Sequence, residues 1–232
     1  MNRGFTMSFV LMLLLLGQAK AQQLIILKDS VKIGEQYYVL EEPKLANQYS
    51  NISMEIYKKI RNKSIMNSYF SATPEQRLKA KKESLMALML DSRLREAAYG
   101  FEHYELFYDR ADLLNLSVNI QSYGSPFESQ QAYCFDLSTG KIVGKALFIN
   151  HKGLLKMVSD KLKEQKKGLK LNLDALDQYE IVSHKGIFGG IKFLITDTVN
   201  YRNSGYEVFE VDLNSKEVTS YLAPAFKQRL KL

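Results

Sequence analysis

At Phe101 the hydrophobic period of this chain changes from helical to two, and that change decides the class of fold. Between Ser50 and Gly100 apolar residues recur at helical spacing, whereas from Phe101 they mostly alternate with polar ones, with one helix and a closing helix among the strands. Helices followed by antiparallel strands make an α+β domain and argue against alternating βαβ units, in which the two must take turns. An antiparallel sheet with helices on one face is therefore expected.

The elements follow from local signals. Residues 23–27 and 35–40 are β-prone runs separated by Lys28-Asp29-Ser30 and Gly34, so short strands or a hairpin come first and end at Pro43. Ile52, Ile56 and Ile60 repeat every four residues and predict a helix over 51–66. Thr73-Pro74-Glu75-Gln76 supplies an N-cap, a proline at the first helical position and a glutamine at the third. A second helix should run over 74–95 with Leu78, Leu85, Leu88 and Met89 on one stripe, unless Asp91-Ser92 breaks it.

Past Phe101, residues 103–108 and 113–122 form a hairpin around Asp109-Arg110-Ala111-Asp112. Residues 130–137 and 142–148 form another, with Gly140 free to take the left-handed conformation of its turn. A helix over 152–167 with Leu155, Val158 and Leu162 inward stops at Gly168. Strands return at 180–183, 190–196 and 206–212, with Gly186, Gly189 and Gly190 marking tight turns or a bulge, and 220–230 reads as a closing helix disturbed by Pro224.

Ahead of this pattern stands a segment foreign to it. Arg3 opens a basic start, 9–16 is an apolar run, and Ala19-Lys20-Ala21 offers small residues in the frame signal peptidase needs. Residues 1–21 are expected to be a cleavable signal peptide, leaving a single domain over 22–232, with strands and helices over 22–100 and the sheet section over 101–232. The apolar run is shorter than the ~20 residues of a spanning helix. The product is expected to be exported, periplasmic or extracellular, without a membrane span. Cleavage removes Arg3 and Lys20 and no acid, so the net charge falls from +7 to +5. A mildly basic exported chain is a poor partner for nucleic acid. Cys134, the only cysteine, excludes an internal disulfide and reads as a small buried hydrophobe on a strand.

The residues that carry chemistry are dispersed. His103, His151 and His184 fall on different elements without metal-ligand spacing, so no metal or cofactor is expected. No nucleophile elbow or phosphate loop occurs, and Gly186-Ile187-Phe188-Gly189-Gly190 precedes a strand. Asp174 and Asp177 fit an exposed turn. The basic groups Lys58, Lys59, Arg61 and Lys63, then Arg77, Lys79, Lys81 and Lys82, then Lys161, Lys163, Lys166, Lys167 and Lys170, read as solvated helix faces or as a surface for an anionic glycan, lipid or protein.

Leu116-Ser117-Val118-Asn119-Ile120-Gln121-Ser122-Tyr123-Gly124, then Ala132-Tyr133-Cys134-Phe135-Asp136-Leu137-Ser138-Thr139-Gly140-Lys141, then Phe148 leading into a lysine-rich helix, together resemble the extracytoplasmic domain of RsiV-like and PdaC-like proteins. The resemblance implies a non-catalytic envelope module, in a family that includes a lysozyme-sensing anti-sigma factor and appendages to peptidoglycan deacetylases. The family's loop continues with glycines and a histidine after its tyrosine, whereas this chain has Gly124-Ser125-Pro126-Phe127. The reading is a binding module whose ligand, a protein or cell-wall glycan, meets Tyr123, Gly124, Ser125, Pro126 and Phe127 together with Gly189 and Gly190. The alternative is an envelope hydrolase assembled only in three dimensions, for instance from Glu102, His103 or His184 with a serine.

Overall fold

The computed structural model describes residues 23–60, 73–90, 102–121, 128–197 and 207–232. Its strands are antiparallel throughout and form sheets of two, four and three strands, joined by helices, so the fold is α+β.

Strands β1 (Leu24–Ile33) and β2 (Gln36–Leu45) make a two-stranded ribbon that runs straight through Lys28-Asp29-Ser30 and past Pro43. The runs are longer than expected because both faces of the ribbon are in use. Asp29 turns to one face and meets Lys82, while Lys28 turns to the other and meets Glu41. Pro43 is tolerated because a strand in a two-stranded ribbon pairs along one edge only, leaving the other free of ladder bonds.

Helix α1 (Ser50–Ile60) buries Ile56, Tyr57 and Ile60, with Ile52 packed beside them. The remainder of the expected helix, residues 61–66, lies outside the described residues. Helix α2 (Pro74–Leu90) begins with the expected capping box: Thr73 Oγ1 accepts from the Gln76 N–H at 3.3 Å and Gln76 Oε1 accepts from the Thr73 N–H at 2.8 Å. Its inner face differs from expectation. Leu85 is buried, yet so are Lys81 and Arg77 one and two turns before it, which are not on a solvated face.

The four-stranded sheet has the order β3 (Glu102–Arg110), β4 (Leu113–Gln121), β5 (Glu128–Asp136), β6 (Lys141–Ile142). Ala111 and Asp112, both at positive φ, make the two-residue turn between β3 and β4. Strand β6 is far shorter than the expected run to Phe148, because Gly144 turns the chain away and the Asp177 carboxylate captures the Lys145 N–H at 2.6 Å. Asp174 and Asp177 thus form a turn that holds the Lys145 ammonium.

Helix α3 (His151–Gln165), capped by Asn150, buries Leu154, Val158 and Leu162, with Leu155 only partly buried at the margin of that stripe. The three-stranded sheet β7 (Tyr179–His184), β8 (Ile187–Asp197), β9 (Glu207–Asn214) follows. Gly189 is the extra residue of a bulge, since Val182 pairs with Gly190 and Ser183 with Phe188. Helices α4 (Ser215–Val218) and α5 (Pro224–Leu230) close the chain, with Pro224 in the first turn of α5, where its missing N–H is harmless.

Two large apolar cores result, beside a small one of Val31, Leu40 and Leu85 between the ribbon and α2. One gathers Leu24, Ile56, Ile60, Tyr104, Leu116, Val118 and Phe135 on one face of the four-stranded sheet. The other lies between the opposite face of that sheet, the three-stranded sheet and α3, around Leu113, Cys134, Leu162, Tyr179, Phe193 and Val211.

Candidate functional site

Polar groups converge at two places, one sealed and one open. The sealed one lies where the ribbon, α1, α2 and β3 meet. Glu42 is 0% exposed and Lys81 2%, with 2.7 Å between Glu42 Oε2 and Lys81 Nζ. Arg77 Nε also pairs with Glu42, and its guanidinium lies 3.8 Å from the centre of the Tyr57 ring. Lys81 reaches Glu102 at 3.3 Å and donates to the Glu41 carbonyl at 2.7 Å. Charges removed this far from water persist only when paired.

Glu41, the neighbour of Glu42 on β2, faces the other way. It accepts from the Tyr104 N–H at the edge of β3 at 2.8 Å, pairs with Lys28 at 2.7 Å and lies 3.9 Å from His103 Nδ1. Burial alone would raise its carboxyl pKa, but His103, Lys28 and the Tyr104 N–H outweigh burial and hold it at about 2. In return Glu41 raises the imidazole pKa of His103 against the opposing effect of burial.

The open assembly is built around Asn115. Its Nδ2 donates to the carbonyls of Tyr133 at 2.9 Å and Tyr179 at 3.0 Å, and its Oδ1 accepts from the Ile181 N–H at 2.6 Å. Tyr179 O and Ile181 N lie on the edge of β7 that does not pair with β8, so β7 stands edge-on upon the four-stranded sheet. On one flank Tyr179 and Ile181 close over Leu113, Cys134 and Tyr108 in the apolar core. On the other flank Glu180 looks out over the continuation of the sheet.

That continuation is polar. Strand alternation places Ser117 and Asn119 on the same face as Asn115, with Glu105 and His103 beside them on β3 and Ala132 and Gln130 on β5. Ser117 is 0% exposed, and neither its Oγ nor Asn119 Oδ1 has a hydrogen-bond partner among the described residues. The wall carries Glu180, 3.5 Å from Lys192, which lies 3.0 Å from Glu210. Burial, and after it Glu210 and Glu105, raise the Glu180 carboxyl pKa against the pull of Lys192. Floor and wall meet at an inside corner whose deepest side-chain oxygens are unpaired.

The residues named from sequence are distributed as follows. Tyr123, Gly124, Ser125, Pro126 and Phe127 lie outside the described residues, in the connection between β4 and β5. Gly189 and Gly190 are in β8, and a side chain at Gly190, whose φ is +153°, would collide with the Leu213 carbonyl on β9, so that glycine permits close strand approach. The β7–β8 turn packs against Arg110, beside the start of β4, whereas the 122–127 connection leaves from the end of that strand. Nine residues of strand separate these ends by about 27 Å. Glu102 points into the sealed cluster and His103 to the open face. His184 ends β7, and the His151 ring lies 2.9 Å from the Lys145 carbonyl.

Sequence reasoning missed Ser117, Asn119, Glu41 and Glu42. The alternation of Leu114, Leu116 and Val118 with Asn115, Ser117 and Asn119 reads as a strand with a wet face, and only the second sheet reveals that this face is covered. Among the described residues no three metal-ligating side chains cluster, and no helix is long and apolar enough to cross a membrane. Cys134 is buried, with its thiol pushed up to about 12 by burial.

No family model matches the chain, and no curated protein does. Solved structures do. A member of the DUF3298 family from Bacteroides fragilis NCTC 9343 superposes with a TM-score of 0.55 at 12% identity, over 91% of this chain and 98% of that one. A DUF3298 family protein from Pseudomonas aeruginosa PAO1 gives a TM-score of 0.51 at 9% identity, over 88% and 96%. The chain has the fold of these DUF3298 proteins. At such identity the likeness is one of architecture, and the DUF3298 fold brings no function with it.

Proposed function

We propose that this chain is an exported, non-catalytic binding module of the bacterial cell envelope, and that its ligand, a protein or cell-wall glycan, docks at the corner between the two larger sheets. The observation that carries this reading is the pair of unpartnered oxygens, Ser117 Oγ and Asn119 Oδ1, on a floor otherwise built of β-sheet. A buried polar atom without a partner is unfavourable by about 1–3 kcal/mol, and a ligand that hydrogen-bonds it recovers that loss. The export signal read over 1–21 supports the envelope setting, and a rigid sheet supports recognition at its end.

The immobilised mature chain should capture a protein or glycan from an envelope extract, and Asn119→Ala should reduce capture without altering the far-ultraviolet spectrum. Failure to capture anything, with hydrolysis of wall material instead, would support the hydrolase. One contact favours that second reading, the Glu41–His103 pair at 3.9 Å, since a carboxylate can orient an imidazole base. Against it, Ser117 Oγ, the buried hydroxyl on the same face, makes no hydrogen bond to His103 or to any other described group.

A further inference from the structure

The corner is acidic in a protein whose net charge is positive. Glu105, exposed on the floor beside Ser117, makes no ion pair among the described residues, and Glu180 and Glu210 share the single Lys192. Some acids elsewhere are held by cations, Asp160 by Lys156 and Lys163, Glu217 by Lys161 and Asp29 by Lys82, whereas Glu105 lies beside two buried oxygens that are themselves unpartnered among the described residues. The Glu105 carboxylate only accepts, and the two buried unpartnered atoms beside it, Ser117 Oγ and Asn119 Oδ1, can both accept as well.

We propose that the corner binds a primary ammonium group, carried on an amino sugar or on a diamino-acid side chain of a cell-wall fragment. The proposal rests on the binding role given above and adds the chemistry of the ligand. An ammonium offers three N–H donors and no acceptor, which is the complement of a carboxylate, a hydroxyl and an amide oxygen set side by side. A carboxylate or phosphate would instead meet the like charge of Glu105 and Glu180. Ser117 Oγ and Asn119 Oδ1 lie beneath the outer side chains, so the ligand enters as Glu105 and the half-buried Gln130, which are long and rotatable, swing aside. The Ser117 hydroxyl can turn its own hydrogen toward the Glu105 carboxylate while accepting from the ammonium, so no buried donor is stranded.

The test is calorimetric titration of the mature chain with four probes: a glucosamine tetramer, its N-acetylated counterpart, a lysine-containing tripeptide and its Nε-acetyl-lysine counterpart. At least one amine should bind, its acetylated form should bind at least about tenfold more weakly, and Glu105→Gln should cause a similar loss. Which amine binds identifies the source of the ammonium. Ser117→Ala, which removes an acceptor without adding bulk, should weaken binding by a smaller factor while leaving the thermal transition intact. Equal binding of amine and acetylated forms overturns the proposal, as does undiminished affinity in Glu105→Gln. Binding of none of the four, while the chain still captures envelope material, overturns the ammonium site and leaves the binding role standing; loss of capture as well overturns both.

Discussion

The two polar assemblies differ in how their charge is settled. At the ribbon junction Glu42, Glu102, Arg77 and Lys81 are buried together and ion-paired across three elements, while the Tyr104 hydroxyl beside them has no hydrogen-bond partner among the described residues. At the corner an acid is unpaired and two oxygens have no partner among the described residues, although they belong to a regular sheet. The lesson is that burial of polar groups does not by itself mark a binding site. Where buried charges are paired with one another they serve the fold, and where a buried polar group lies beside an acid without a counter-charge the surroundings have been left able to accept something else.

The sharpest way to break this contrast is to remove a buried cation. Lys81→Met should destabilise the protein by about 3–5 kcal/mol, because Glu42 and Glu102 lose a shared cation in a dry site. Urea unfolding measures it, and adding Glu102→Gln should recover part of the loss. A Lys81→Met variant as stable as the parent would mean that the junction is not held by charge.

Acid should act on the same junction through Glu41. Its folded pKa of about 2 lies below the ordinary value of 4.5, so its contribution is complete above that ordinary value and is lost as pH falls through the folded one. The size is roughly 3 kcal/mol. Glu41→Gln should flatten the stability curve between those two pH values.

His103 titrates with the opposite sign. Its folded pKa lies above 6.5, so the stability it adds is full below that value and disappears as pH rises through the folded pKa. Glu41, Lys28 and Glu128 are the charged groups that act on it. For a half-exposed ring the effect should be no more than about 1 kcal/mol, and His103→Asn should abolish it.

The smallest effect on stability is expected at the corner. Ser117→Ala deletes a hydroxyl that has no partner among the described residues and should leave stability unchanged or raise it by up to about 1 kcal/mol. A loss above about 2 kcal/mol would show that Ser117 is satisfied in the fold and would remove the distinction between the regions.

The α+β class, the strand hairpins and the capped start of α2 were legible because each rests on local signals: the period change at Phe101, Gly140 in its turn, the Thr73–Gln76 box. The two assemblies were not legible because both depend on contacts distant in sequence. Arg77 and Lys81 look like a solvated face until Glu42, 35 residues away from Arg77, is brought against them. Ser117 looks like the wet side of a strand until β7 is set upon Asn115, 66 residues away from Ile181. The short length of β6 had the same origin, since Asp177 lies 32 residues beyond the Lys145 it captures.

Asn115 has a wider consequence. A shared ladder would make the two larger sheets one rigid plate, but here two side-chain amides serve as the joint: Asn115, and Gln178, whose Oε1 accepts from the Ala132 N–H at 2.8 Å, so the reach of short side chains helps to set the angle between the sheets. Lengthening the first by one carbon in Asn115→Gln would lift β7 and open the angle at which Glu180 faces the floor. A family could thus retune what fits the corner, from a narrow ligand to a broad one, by substituting one residue and leaving every strand in place.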